Sequence, residues 1–377
     1  MSQTAASAIQ FVADLPSLED AKDPEKSAQR AGLHYVHDDT PGITRRRAGK
    51  GFSYKDLDGQ TITDGAIRER INALAIPPAY QEVWICPDPD GHIQATGLDE
   101  KGRKQYRYHP RWAEVRDEAK FTRLIAFAHA LPAIRERTNA DMRKRSLTRE
   151  KVLAAVVQLL EKTAIRVGNE EYARQNETYG LTTMENRHAE VEGNTVHFEF
   201  TGKSHKDHEI DLKDPKLARV IDKLQDLPGQ SLFQFVDEDG EPHSITSGDV
   251  NDYLHEIAGD FFTAKDFRTW AGTVAASLAL QEFEQFSDKD AATKNVVEAV
   301  KTVAEKLGNT PAVCRKSYIH PAVIEAYVDG AMLDSMQQKV EAELSGDLSG
   351  LKPEEAAVLG LLQQKLAHAE AGHESTS

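Results

Sequence analysis

From Leu33 to His109 apolar and polar positions alternate in short runs: LHYVH, GFSYKD, QTIT, EVWICP, HIQATG and KQYRYH. Turn-rich segments such as DLDGQ and PDPDGH separate them. A period of two bounded by Asp, Gly and Pro predicts strands. One helix, from about Asp64 to Leu74, interrupts the runs before Pro77 and Pro78. The pattern predicts a small β-rich domain over 31–112, preceded by a weakly patterned N-terminal arm, 1–30.

After Trp112 the period becomes helical. In TREKVLAAVVQLLEKTAIRVGN, Val152, Leu153, Val156, Val157 and Leu160 share one face, with Thr148 as N-cap. Two strands, AEVEGNTVHFEF and DHEIDL, then flank the turn TGKSHK and predict a β-hairpin around 190–212. Asp214-Pro215 opens a helix with Leu217, Val220, Ile221 and Leu224 inward. Further helices cover DVNDYLHEIAG, AKDFRTWAGTVAASLALQEF and ATKNVVEAVKTVAEKL. Gly308 ends the last of these, Thr310-Pro311 starts a short helix that carries Tyr318, and His320-Pro321 starts another. The end of the chain reads as one amphipathic helix and a polar tail. Residues 113–377 thus form a larger, mainly α-helical domain with an acidic C-terminal tail, and the fold class is α+β.

The 377 residues are ample for two or three domains. Net charge is −15, which speaks against an indiscriminate nucleic-acid coat. The charge is polarised, however: Lys101 to Arg149 holds 14 Lys+Arg against 5 Asp+Glu, and Ile319 to Ser377 holds 3 against 10. The two cysteines, Cys86 and Cys314, lie far apart in sequence and form neither a disulfide framework nor a metal pattern, as in a reducing cytosol. The N-terminus lacks the basic-then-apolar order of a secretory signal, and no run of 18 apolar residues suggests a membrane span. Gly202-Lys203-Ser204 resembles the end of a phosphate-binding loop, but His197 stands where its first glycine belongs. His205 and His208 lack a third metal ligand and read as solvated turn residues, and Asp88 and Asp90 fit a turn. No metal site is expected.

Breaking a phosphodiester without a metal needs three things. Permanent positive charge must meet the non-bridging oxygens, an acid must protonate the leaving alkoxide, and a nucleophile must stand in line. Five ordered segments bear on this: IPPAYQEVWICPDPDGHIQATGLDEKGRKQYRYHPRW, AIRVGNEEYARQNETYGLTTMENRH, FTGKSHKDH, KDFRTWAGT and GNTPAVCRKSYIHP. Together they resemble the type IB DNA topoisomerases, in particular the small poxvirus-like bacterial members, over roughly Leu33 to Tyr327. The resemblance implies the tyrosine recombinase/type IB topoisomerase fold for the helical domain. It implies relaxation of supercoiled duplex DNA through a transient 3′-phosphotyrosyl bond, with no cofactor, metal or ATP.

The resemblance also implies roles. Arg166 and Arg268 are the transition-state arginines, Lys203 the acid for the 5′ oxygen, Lys265 a second lysine near the phosphate, and Tyr318 the nucleophile. Asn309 stands where many relatives have histidine, so it can donate a hydrogen bond but adds no charge. Independently of the family, Arg268 lies just inside a helix start, where free N–H groups favour a phosphate. Taken alone, Arg166 reads as an ion-pair arginine, Lys203 as a turn lysine and Tyr318 as a packing tyrosine; the ordered set outweighs these readings.

The family holds double-stranded DNA between its two domains, and the resemblance makes Gln105, Tyr106 and Tyr108 groove contacts. Arg103 and Lys104 adjoin them as DNA-binding residues, and Arg45, Arg46 and Arg47 form a second basic cluster. Alternation puts Tyr106 and Tyr108 on one face and Arg107 on the other. The expected enzyme is a cytoplasmic, nucleoid-associated monomer with no membrane or obligate protein partner. Two rivals remain: a tyrosine site-specific recombinase, which usually carries His-x-x-Arg where this chain has Lys265-x-x-Arg268, and a non-catalytic DNA-binding protein of the same fold.

Overall fold

The computed structural model describes residues 23–100, 102–237, 239–283, 286, 288–330 and 350–374. Most of the N-terminal arm and much of the acidic stretch after 330 lie outside the described residues. The chain divides into two compact units, meeting in sequence between Thr122 and Arg123. Mixed helices and antiparallel sheets make the fold α+β, with strands concentrated in the first unit and helices in the second. No helix among the described residues is long and apolar enough to cross a membrane.

The first unit begins with helix α1 (Pro24–Arg30) and is built on a five-stranded antiparallel sheet. Its strands are β1 (Ile43–Ala48), β2 (Gly51–Lys55), β3 (Gln81–Ile85), β4 (Ile93–Leu98) and β5 (Lys104–Tyr108), in the order β2-β1-β3-β4-β5. Helix α2 (Gly65–Ala73) starts at Asp64, whose carboxylate accepts the Ile67 N–H at 3.0 Å. Its Ile71 packs with Ile43, Val83, Ile85 and Ala95, and Tyr54, Leu74 and Tyr80 close over this core.

Three segments differ from the strands read in the sequence. LHYVH and QTIT make only the isolated bridges His34↔Gly91 and Lys55↔Thr61. Tyr35 stacks instead on His92, with centroids 4.1 Å apart, and Leu33 joins Ala28 and Trp112 in a second cluster. Conversely, ITRRRA forms β1, because Arg45 does not behave as a surface charge. Its guanidinium donates to the carbonyls of Ile76, Pro77 and Tyr80 at 3.3, 3.1 and 2.6 Å and lies over Phe52. Arg45 therefore ties the sheet to the loop after α2, and leaves the basic cluster to Arg46 and Arg47.

Helix α3 (Pro110–Met142) leads into the second unit. Helix α4 (Arg149–Thr163) is capped by Thr148, as expected, but it is not amphipathic in its setting: every residue from Lys151 to Leu160 is buried. Ala154, Ala155 and Leu159 make its second face apolar as well, so the helix can run through the core. Helix α5 (Glu170–Asn176) follows, then a three-stranded sheet of β6 (Ala189–Glu192), β7 (Thr195–Gly202) and β8 (Lys206–Lys213). AEVEGNTVHFEF is thus two strands rather than one, divided at Gly193, which takes φ 59°.

The remaining elements are α6 (Pro215–Gln225), the short strands β9 (Gln234–Val236) and β10 (Pro242–Ser244), α7 (Ser247–Ala258), α8 (Ala264–Gln281), α9 (Lys289–Leu307), α10 (Pro311–Ser317), α11 (Pro321–Val328) and α12 (Pro353–Glu374). Asp214, Thr310 and His320 cap α6, α10 and α11 with Pro at the first helical position of each. Gly308 ends α9 in the left-handed region, φ 61°.

Arg135 of α3 lies between Glu161 of α4 and Glu355 of α12, at 2.9 and 2.7 Å, with little exposure at any of the three. Burial pushes the Glu355 carboxyl up, but the bonds and charge of Arg135 outweigh it and hold it below the usual range. The contribution of that pairing is therefore complete above about pH 4.3 and is lost as pH falls through the lowered folded value. Arg135→Ala strands two buried carboxylates and should cost about 3–5 kcal/mol in urea unfolding. A loss below about 1 kcal/mol, the range of an exposed pair, would contradict this role.

Candidate active site

Helix α8 carries a deeply buried cation, Arg268, and its first turn is tightly closed. The Thr263 N–H donates to Asp266 Oδ2 at 2.8 Å, and Arg123 holds the other carboxylate oxygen at 2.6 Å. The Ala264 N–H donates to Asn251 Oδ1 at 3.1 Å. The N–H groups of Thr263 and Ala264 are thus taken by side-chain acceptors, while Arg268 meets its neighbours through its side chain.

Arg268 is only 6% exposed. Its guanidinium donates to the carbonyls of Ala164 and Leu307, the latter at 2.7 Å, and its Nε has no hydrogen-bond partner among the described residues. Both carbonyls come from helix ends. Ala164 follows α4 at φ 53°, and Leu307 is the last residue of α9. Burial, then the neighbouring Arg166, pushes Arg268 below the ordinary arginine value, while Tyr318 acts the other way. Arginine nonetheless keeps its charge across the physiological range.

Arg166 lies in the loop after α4. Leu181 and Thr182 donate their N–H groups to the carbonyls of Arg166 and Val167 at 2.9 and 2.7 Å. Gly168 and Gly180 permit this close approach: Gly168 takes φ 109°, and a Cβ on Gly180 would lie 2.7 Å from the Arg166 carbonyl oxygen. Arg166 Nη2 donates to Asn309 Oδ1 at 2.7 Å. Asn309 Nδ2 donates to the Leu307 carbonyl at 3.1 Å, the same oxygen that Arg268 uses. Asn309 thus links the two arginines.

Tyr318 is the residue just beyond α10 rather than within it, a correction to the helix read from sequence. Its ring lies under the Arg268 guanidinium, 5.1 Å from centroid to Cζ. Its backbone is fixed against α8. A Cβ on Gly272 would lie 2.5 Å from the Tyr318 carbonyl oxygen. The buried Thr273 hydroxyl accepts the His320 N–H at 3.1 Å, and its one proton is shared between the carbonyls of Thr269 at 2.9 Å and Tyr318 at 3.3 Å. The sequence assigns no role to Gly272, Thr273 and Arg123, whose partners are distant in the chain, and Asp266 enters only through the Thr263-x-x-Asp266 helix opening.

The structure therefore brings together Arg166, Arg268, Asn309 and Tyr318. Lys203 and Lys265 are exposed and make no hydrogen bond or ion pair with those four among the described residues. Lys203 precedes Ser204 and His205, which hold φ 67° and 54° at the tip of the β7–β8 hairpin. His208 is not a solvated turn residue: it lies half-buried on β8, stacked on Phe200. No cluster that could hold a metal occurs among the described residues.

In the first unit, Tyr106 and Tyr108 are 43% and 38% exposed and stack in parallel at 5.7 Å. They point away from the core, and Lys104 lies over Tyr106 while pairing with Asp38 at 2.6 Å. Gln105 and Arg107 face the other way: Gln105 donates to Asp99 at 3.0 Å and Arg107 to the Ala75 carbonyl at 3.1 Å. Arg103 pairs with Asp99 at 2.7 Å. The tyrosine face does not include Gln105.

Residues 107–344 match the family model of the eukaryotic DNA topoisomerase I catalytic core, and 51–99 match that of the bacterial DNA topoisomerase IB N-terminal domain. DNA topoisomerase 1B of Acanthamoeba polyphaga mimivirus is 34% identical over 293 residues, covering 76% of this chain and 87% of the relative. DNA topoisomerase 1B of vaccinia virus, strain Copenhagen, is 23% identical over 294 residues, 76% of this chain and 90% of the relative. With the family matched across both units, the chain belongs to the type IB DNA topoisomerases.

Proposed function

We propose that this topoisomerase relaxes supercoiled duplex DNA with Tyr318 as nucleophile. The phenol gives up its proton to solvent as its oxygen attacks a backbone phosphorus, the bond to the 5′ oxygen breaks, and a 3′-phosphotyrosyl bond forms. Lys203 protonates the departing 5′ oxygen, and the reverse sequence rejoins the strand. Arg166 and Arg268 meet the non-bridging oxygens, Asn309 orients Arg166, and Lys265 stands by the phosphate. The observation that carries this reading is electrostatic. Both guanidiniums are bonded only to neutral acceptors among the described residues, so a phosphate anion completes the site.

The helical unit takes the fold shared with tyrosine recombinases, the enzyme acts as a monomer without an obligate protein partner, and it works in the cytoplasm on nucleoid DNA. Tyr106, Tyr108 and Lys104 form a stacking and cationic contact to the duplex, with Gln105 and Arg103 at its margin. Affinity should therefore fall steeply with salt.

The deciding experiment is plasmid relaxation in EDTA, on a plasmid with no recombination site, beside Tyr318→Phe. The native chain should relax it, and the variant should bind DNA without cleaving it. Relaxation by Tyr318→Phe would remove Tyr318 from the mechanism, and an absolute magnesium requirement would contradict charge stabilisation by arginine. Lys203→Ala should slow cleavage by about 10²–10⁴-fold, and a 5′-thiolate leaving group should restore most of the rate; no rescue would count against Lys203 as the acid. Gly272→Ala should displace Tyr318 and slow cleavage by about 10²-fold with DNA affinity retained. An unchanged rate would show that this contact does not set the position of the tyrosine.

A further inference from the structure

His208 is a polar side chain that the mechanism above does not use. It projects from β8 into a cleft lined also by Ala164, Arg166, Arg268 and Lys306. The fold makes room for its ring. Phe200, its cross-strand partner, stacks on it with centroids 5.0 Å apart. A Cβ on Gly202 would lie 2.7 Å from its Cδ2, and a Cβ on Gly308 would overlap its Cε1. The ring thus lies over the helix break that carries Asn309. Neither ring nitrogen is hydrogen-bonded to a described residue.

The neighbours of the ring decide its state. Burial first, then Arg166, Lys206 and Arg268, pushes the imidazole below its ordinary value, with Asp207 opposing. Burial and the two arginines thus favour the neutral imidazole over the charged one. Asn309, by contrast, has its oxygen on Arg166 and one amide hydrogen on the Leu307 carbonyl.

We propose that His208 is an additional phosphate-contacting residue, whose imidazole N–H donates to a non-bridging oxygen of the phosphodiester held by Arg166 and Arg268. The proposal rests on the phosphate-binding reading of this site. The imidazole reaches the phosphate from the hairpin strand, next to the position where Asn309 brings an amide instead of an imidazole. A ring that only filled the gap between Phe200 and Gly308 would be a packing element, and the two roles are separable by experiment.

The test is single-turnover cleavage at saturating DNA by the full chain and by His208→Ala, His208→Asn and His208→Gln. Substrates carry sulfur in place of either non-bridging oxygen at the cleaved phosphate. His208→Ala should cleave about 10²-fold more slowly at saturating DNA, a loss in rate much larger than the loss in DNA affinity, and Asn or Gln should recover part of the rate. The slowing caused by sulfur in one diastereomer should vanish in His208→Ala. A His208→Ala rate close to native, or a slow variant that keeps both sulfur effects, would overturn the proposal. The melting temperature of each variant separates a folding defect from a lost contact. A native chain that forms no covalent adduct in this assay would instead sink the reading on which the proposal rests.

Discussion

The site depends on two guanidiniums held close together with, among the described residues, no carboxylate paired to either. Elsewhere in the second unit several arginines meet acids: Arg123 pairs with Asp266, Arg135 with Glu161 and Glu355, and Arg149 with Asp249. Arg166 and Arg268 meet an amide and two carbonyls. Neighbouring like charges repel, and burying Arg268 beside the half-buried Arg166 costs several kcal/mol unless an opposite charge arrives. The elements around them are arranged to bear that cost. The left-handed Ala164, the α9 break at Gly308 and the Thr263–Asp266 turn each place one acceptor or one arginine.

The same logic governs the tyrosine. A free phenol is a weak nucleophile near neutral pH, with a pKa of about 10, so it needs a cationic field at its oxygen. Tyr318 lies against Arg268, and its backbone is fixed by Gly272 and Thr273 of the helix that carries that arginine. Tyr318 and Arg268 are therefore set by one rigid element. The hairpin lysine is different: Lys203 sits beside two residues in left-handed backbone at an exposed tip, a place where strain and movement are tolerated.

Much of this was legible in the sequence where the cause is local. Caps at Thr148, Asp214, Thr310 and His320 depend on residues a few positions away, and each cap is found in the structure. What escaped depends on distant partners. Arg45 could not be seen as a sheet residue without the carbonyls of Ile76, Pro77 and Tyr80. The full burial of α4 requires neighbours on both sides, and the role of Gly272 requires Tyr318 to be placed on it. The resemblance puts Gln105 with Tyr106 and Tyr108, whereas the pleat turns its side chain to Asp99.

The most direct measurement is the identity of the amino acid that holds the DNA. A reaction denatured mid-cycle, digested with trypsin and nuclease, should yield a peptide carrying a nucleotide on the phenol of Tyr318. Fragmentation separates Tyr318 from Tyr327 in the same peptide. A nucleotide found on any other side chain, or no linked peptide from an enzyme that relaxes DNA, would contradict the account.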